Sequence, residues 1–150
     1  MQKKVSALIA VRSGSVRVKN KNIRTFNDST LLELKIKQLQ SVKEINDVVV
    51  NSNSDEMLSI AKNLGAKTVK RDDYYASNTI SMSSVFEHMA KNMDCENILY
   101  ANCTNPLVST NSYSDAIRIF LNNTSVYDSL GSCHDIKEFL YLDGKALNYD

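Results

Sequence analysis

Apolar runs of strand length alternate along this chain with segments whose apolar residues recur at helical spacing. The runs fall at residues 5–11, 47–52, 67–70, 97–102 and 126–133, each bounded by polar or turn-forming residues, and each is expected as a strand. Between the first two, Leu31, Leu34, Leu39 and Val42 share a helical face behind Thr30, a good N-cap. Ser54 can cap the next helix, with Asp55 and Glu56 in its first turn where carboxylates suit the helix dipole, and Gly65 can close it. Residues 82–93 and 112–121 supply two further helices. The unbroken apolarity of Val48-Val49-Val50 and Ile98-Leu99-Tyr100-Ala101 predicts strands covered on both faces. Near the end, Asp143-Gly144 between residues 139–142 and 145–149 predicts a hairpin, because this pair tolerates the positive φ of a tight turn. The expectation is a three-layer α/β/α domain spanning residues 1–150, with a mostly parallel sheet and a C-terminal hairpin.

In an open parallel sheet, ligands bind outside the carboxyl ends of the strands. Attention therefore falls on the loops after Val11, Ser52, Lys70 and Asn102.

Charge sharpens this choice. The 150 residues carry 18 Lys+Arg and 17 Asp+Glu, a formal net charge of +1. Residues 1–27, however, contain seven cations and no carboxylate, which leaves the remainder net acidic. Lys3 and Lys4 ahead of an apolar run resemble a short signal peptide, but Arg12 breaks the run and no small-residue cleavage site follows, as in a buried strand. No apolar stretch approaches the roughly 18 residues that span a bilayer. Cys95, Cys103 and Cys133 are odd in number and lack metal-site spacing, so they read as thiols in a reducing cytoplasm. His88 and His134 are read as structural.

The loop after the first strand, from Arg12 to Arg24, holds five cations, Gly14, two serines and two asparagines. Fixed positive charge with backbone donors suits a phosphate group. It is neither a Walker loop, lacking Gly-Lys-Ser/Thr, nor a dinucleotide turn, since Gly14 stands alone. Three readings stay open on these residues: a solvated basic loop, a phosphate site, and a nucleic-acid contact. Only Phe26 interleaves aromatically with the cations and no nucleic-acid-binding module is legible, which disfavours the third.

Residues Ala7 to Arg17, followed by Lys19-Asn20-Lys21-Asn22-Ile23-Arg24, resemble the signature of the acylneuraminate cytidylyltransferases, the CMP-sialic acid synthetase family. Three further stretches resemble that family in the same order: Val48-Val49-Val50-Asn51-Ser52-Asn53-Ser54-Asp55-Glu56, then Arg71 with Ala76-Ser77-Asn78-Thr79, then Asn102-Cys103-Thr104-Asn105-Pro106-Leu107. The resemblance implies a nucleotide-diphosphosugar transferase fold and a reaction that joins CMP from CTP to the anomeric hydroxyl of an acidic nine-carbon sugar. Pyrophosphate leaves, Mg²⁺ is required, and the product serves cell-surface polysaccharide biosynthesis in the cytoplasm. By motif position Arg12 and Lys21 are the leading phosphate and catalytic groups, and Ser13, Gly14 and Arg17 shape the loop. Asn22, Arg71 and Ser81 lie by the nucleotide, and Asn102 and Thr104 face the acidic sugar. The partners implied are CTP and a nonulosonic acid, in a homodimer, with no nucleic acid or membrane. A non-catalytic nucleotide- or sugar-binding relative and a cytidylyltransferase for the eight-carbon sugar Kdo are the alternatives.

Several positions depart from the family's pattern. Val16 and Lys19 stand where a lysine and a proline are usual, Asn53 replaces an aspartate, Asn102 a glutamine, and Val108 an arginine. Asp72 and Asp73 are adjacent and read as solvated, so no pair of carboxylates in the motif loops is assigned to a metal. The chain is expected to lack the family's C-terminal dimerisation and metal-binding part.

Overall fold

The computed structural model describes residues 4–14, 18–133 and 139–148. In chain order its elements are β1 (Val5–Ala10), a 3-10 turn (Lys21–Ile23), β2 (Thr25–Phe26), β3 (Ser29–Thr30), α1 (Leu31–Gln40), β4 (Asp47–Ser52), α2 (Asp55–Asn63) and β5 (Lys67–Lys70). There follow α3 (Asp73–Ala76), α4 (Met82–Lys91), β6 (Asn97–Tyr100), α5 (Thr110–Asn122), β7 (Tyr141–Leu142) and β8 (Lys145–Ala146). The four longer strands form a parallel sheet in the order β5-β4-β1-β6.

The period-2 alternation of β1 sorts its side chains between two cores. Val5, Ala7 and Ile9, with Val11 just beyond, join Leu32, Ile36 and Leu39 of α1, Met57 and Ala61 of α2, and Tyr113 and Ile117 of α5. On the opposite face, Leu8 packs with Val85 and Met89 of α4. Helices thus cover both faces of β1, giving the three layers expected, whereas β6, expected to be covered on both faces, lies at the sheet edge and leaves Ile98 and Tyr100 exposed. Each fully buried large aliphatic side chain contributes roughly 1.5–3 kcal/mol. Caps fix where the helices begin. Thr30 accepts from the Glu33 backbone N–H while the Glu33 carboxylate accepts from the Thr30 N–H, a reciprocal capping box. Ser54, Ser81 and Ser109 cap α2, α4 and α5.

The expected strand at 126–133 does not form. Val126 and Tyr127 are exposed, and their N–H groups both donate back to the Asn123 carbonyl, curling the chain at the end of α5. Asp128, Ser129, Gly131 and Ser132 interrupt the run, so it offers no continuous apolar face to bury. Helix α5 begins two residues earlier than its apolar spacing suggests, because Ser109 takes the cap. The C-terminal hairpin pairs Tyr141 with Ala146 and Leu142 with Lys145. Its turn residues Asp143 and Gly144 have φ of 50° and 76°, the left-handed geometry that this dipeptide accepts. Among the described residues, no helix is long and apolar enough to cross a membrane.

Candidate active site at the carboxyl edge of the sheet

The carboxyl ends of β1, β4 and β5 are tied together by one buried side chain. Arg71, the first residue after β5, donates its backbone N–H to the Ser52 carbonyl at 2.8 Å. Its guanidinium donates from Nε to Asn51 Oδ1 at 2.5 Å, and from Nη2 to the carbonyls of Val11 at 3.1 Å and Asn51 at 2.7 Å. Only 4% of Arg71 is exposed. Burial lowers its pKa, Tyr100 opposes this and the neighbouring Arg12 adds to it, yet a guanidinium stays protonated throughout the physiological range.

Beside this clamp lies a cavity of about 330 Å³ between the end of β1, the α3–α4 connection and α4, lined by Val11, Arg12, Arg71, Tyr75, Asn78 and Tyr100 among others. Arg12 reaches across its mouth, donating from Nη1 to the Ala76 carbonyl and from Nη2 to Asn78 Oδ1 at 2.5 Å. No carboxylate pairs with either arginine among the described residues, so neither charge is neutralised by an ion pair, although only Arg12 is not buried. Tyr75 stacks on His88 of α4, with ring centroids 3.9 Å apart, which gives His88 the packing role expected of it. His134 lies outside the described residues.

Ser13 is held by Asn53, in the loop after β4. Its backbone N–H donates to Asn53 Oδ1 at 3.0 Å, while Asn53 Nδ2 donates to Ser13 Oγ at 2.9 Å and to Asp73 Oδ1 at 2.8 Å. A carboxylate at position 53 could not donate to Asp73, so the asparagine is what allows three loops to meet here. Gly14 adopts φ of +80°, and among the described residues nothing lies within 4 Å of where a Cβ would sit, so its role is conformational. Arg17 lies outside the described residues. Asn20 takes a left-handed conformation and starts the 3-10 turn, which buries Asn22 and leaves Lys21 exposed. The Lys21 ammonium has no hydrogen-bond or ion-pair partner among the described residues, but its charge acts on the Cys103 thiol. The basic loop is therefore within electrostatic reach of the turn after β6.

In that turn, burial alternates. Ala101 and Cys103 point inward while Asn102 and Thr104 are exposed. Burial pushes the Cys103 thiol up to about 12 against the opposing pull of Lys35 and Lys21, so it stays protonated and is no nucleophile. Ser81 is committed to capping α4: its Oγ accepts from the Ser84 N–H at 3.2 Å and lies 2.9 Å from Ser84 Oγ. Its neighbours Ile80 and Met82, but not Ser81 itself, line the cavity.

The structure thus gathers Arg12 and Arg71 at one cavity, and sets Lys21 beside the turn of Asn102 and Thr104. Sequence reasoning did not single out Tyr75, or the role of Asn53 as a cross-link. An asparagine in a family position for aspartate was the available signal for the latter.

A family model described as cytidylyltransferase matches residues 6–147. The chain belongs to the cytidylyltransferase family. It is 28% identical over 126 residues to a pseudaminic acid cytidylyltransferase of Campylobacter jejuni strain 81-176, covering 80% of this chain and 54% of that protein. It is 36% identical over 70 residues to the CMP-N,N'-diacetyllegionaminic acid synthase of Campylobacter jejuni strain NCTC 11168, covering 47% of this chain and 30% of that protein. The chain spans about half the length, or less, of these curated relatives. Among solved structures, the fold matches a CMP:2-keto-3-deoxy-manno-octonic acid synthetase solved with CTP, with a TM-score of 0.71 and 11% identity over 81% of this chain and 49% of that one. The nucleotidyltransferase-type α/β fold expected from the sequence is therefore the fold observed.

Proposed function

We propose that this chain carries the nucleotide-binding part of an enzyme that transfers CMP from CTP to the anomeric hydroxyl of a nonulosonic acid of the pseudaminic, legionaminic or sialic type. The observation that carries this reading is the cavity of Arg12 and Arg71 at the end of β1, which no carboxylate lines among the described residues, in a chain of the cytidylyltransferase family. In the reaction the sugar oxygen bonds to the α-phosphorus, the bond from that phosphorus to the β-phosphate bridging oxygen breaks, and the hydroxyl proton is lost to a base. Charge builds on the non-bridging and leaving oxygens, so positioning and electrostatic stabilisation supply most of the catalysis. Arg12 and Lys21 meet the phosphates. Ser13 and Gly14 set the loop's shape, together with Arg17, and Asn22 supports it from within. Arg71 fixes the floor of the nucleotide site, Ser81 orders the adjoining helix start, and Asn102 and Thr104 receive the acidic sugar.

Magnesium is expected from the resemblance, but the described residues do not fit it on their own. No group of three or more His, Cys, Asp or Glu that could hold a metal exists among them. Of the carboxylates after β5, Asp72 accepts from the Tyr74 N–H and Asp73 from Asn53. We place the reaction in the cytoplasm, with a homodimer as the assembly and neither membrane nor nucleic acid as partner. The test is pyrophosphate release from CTP and Mg²⁺ with pseudaminic, legionaminic or N-acetylneuraminic acid. Release that requires one of these sugars is the expected result. CTP binding without release, both for this chain and for any longer protein that contains it, would make it a non-catalytic relative.

A further inference from the structure

Helix α1 buries a lysine where an apolar residue would be cheaper. Lys35 is 1% exposed, flanked on the same helix by the fully buried Leu32, Ile36 and Leu39. No carboxylate faces it among the described residues. Its three N–H bonds go instead to neutral acceptors: Gln38 Oε1 at 2.5 Å, the Asn105 carbonyl at 2.9 Å and the Tyr113 hydroxyl at 2.8 Å. That is the full donor capacity of an ammonium. Burial lowers its pKa, with Cys103 opposing, and a cation desolvated among neutral groups is a poor device for stability alone.

The acceptors show what the arrangement does. Gln38 lies one turn along the same face, and its amide nitrogen donates to the carbonyls of Val108 and Pro106, the latter at 3.4 Å. From one helix, two side chains thus grip three carbonyls of the turn 102–108, at positions 105, 106 and 108. The turn itself has little regular structure to hold it, beyond the Asn105 N–H donating to the Asn102 carbonyl at 3.3 Å. Asn102 and Thr104 are displayed from its near end.

The geometry points to Lys35 and Gln38 as positioning residues that set the shape of the turn 102–108 and so the presentation of Asn102 and Thr104 to the acidic sugar. This assignment rests on the nucleotidyltransferase reading above. It separates the two substrates: the turn serves the sugar, while the Arg12 and Arg71 cavity serves CTP.

The experiment is calorimetric titration of the whole chain and its Lys35→Met variant with CTP, and with N-acetylneuraminic, pseudaminic and legionaminic acids in the presence of CTP and EDTA. Lys35→Met is expected to weaken the best-bound sugar fivefold or more while CTP affinity stays within twofold. Amide exchange should accelerate across residues 102–108 with α1 still protected. Unchanged sugar affinity, or equal losses for both ligands, overturns the assignment. If Lys35→Met does not fold, Tyr113→Phe removes one acceptor and keeps the ring, and it should show a sugar-selective loss of at least twofold; unchanged sugar affinity, or equal losses for both ligands, then overturns it. Wild type that binds CTP but none of the sugars sinks the substrate reading and this assignment together. Wild type that binds a sugar which the variant binds equally well sinks only the assignment.

Discussion

Arg12 and Arg71 are close enough for their charges to interact, yet they are built for different work. Arg71 is spent inward on Asn51 and on the carbonyl of Val11, so its loss orphans buried acceptors, at roughly 1–3 kcal/mol for such a group. Arg71→Met should therefore lower unfolding stability by at least about 2 kcal/mol, read as a shift of the urea midpoint. A change below 0.5 kcal/mol, on the order of an ordinary surface substitution, would show that the clamp is not structural. Asp47, at the start of β4, accepts from Lys67 at 2.9 Å and lies 3.3 Å from Lys4. The Lys67 bond holds its carboxyl below the usual range, burial opposes this, and Lys4 adds to the depression. A depressed carboxylate contributes stability above its unfolded pKa of about 3.9 and loses it as pH falls through the folded value. Asp47→Asn is thus expected to cost up to about 1 kcal/mol at pH 7, a difference that begins to shrink below about pH 4 and closes as pH falls through the folded value. A difference that persists at pH 2 would mean that shape, not charge, holds the pair.

At the scale of elements, α1 matters most, because it packs the larger core and carries Lys35 and Gln38 beneath the turn after β6. Its start depends on the Thr30 and Glu33 capping box, so Thr30→Ala should destabilise the protein by about 1 kcal/mol, measured by thermal or urea unfolding. Restoration by Thr30→Ser would assign the effect to the hydroxyl. Most of the elements were legible in the sequence because their apolar period and their caps agree: β4 falls where the valine run places it, β5 at the short run 67–70, and Thr30, Ser54 and Asp143-Gly144 act as their residue types predict. The run at 126–133 misled because apolar content without a continuous face does not make a strand. Helix α3 has only four residues and no period to detect. The cationic loop was legible by charge, whereas Lys35 was not. In a linear reading a lysine within an apolar helix face is a solvated residue, and only the fold shows that Asn105, Gln38 and Tyr113 converge on it. Arg71 was placed by its motif near the nucleotide. The fold adds that its guanidinium is mostly occupied by the protein.

For the whole molecule, a net charge of +1 conceals a concentration of cations in the N-terminal stretch, from which Arg12 joins Arg71 at the carboxyl edge of the sheet. The four parallel strands bring the loops after β1, β4, β5 and β6 to the same end, as the crevice rule for such sheets requires. Asn53 then couples the first of these loops to the second and to α3, and the charge of Lys21 reaches Cys103 in the turn after β6. The central claim is that Arg12 at the end of β1 meets the triphosphate of CTP. Calorimetric titration of CTP into the wild type and into Arg12→Ala tests it most directly. Loss of one charge-assisted bond is worth roughly 1.5–3 kcal/mol, so the variant should bind CTP about ten- to a hundredfold more weakly, with its melting temperature nearly unchanged. Equal CTP affinity in the two proteins, or a variant that unfolds while residual CTP affinity is intact, would contradict it.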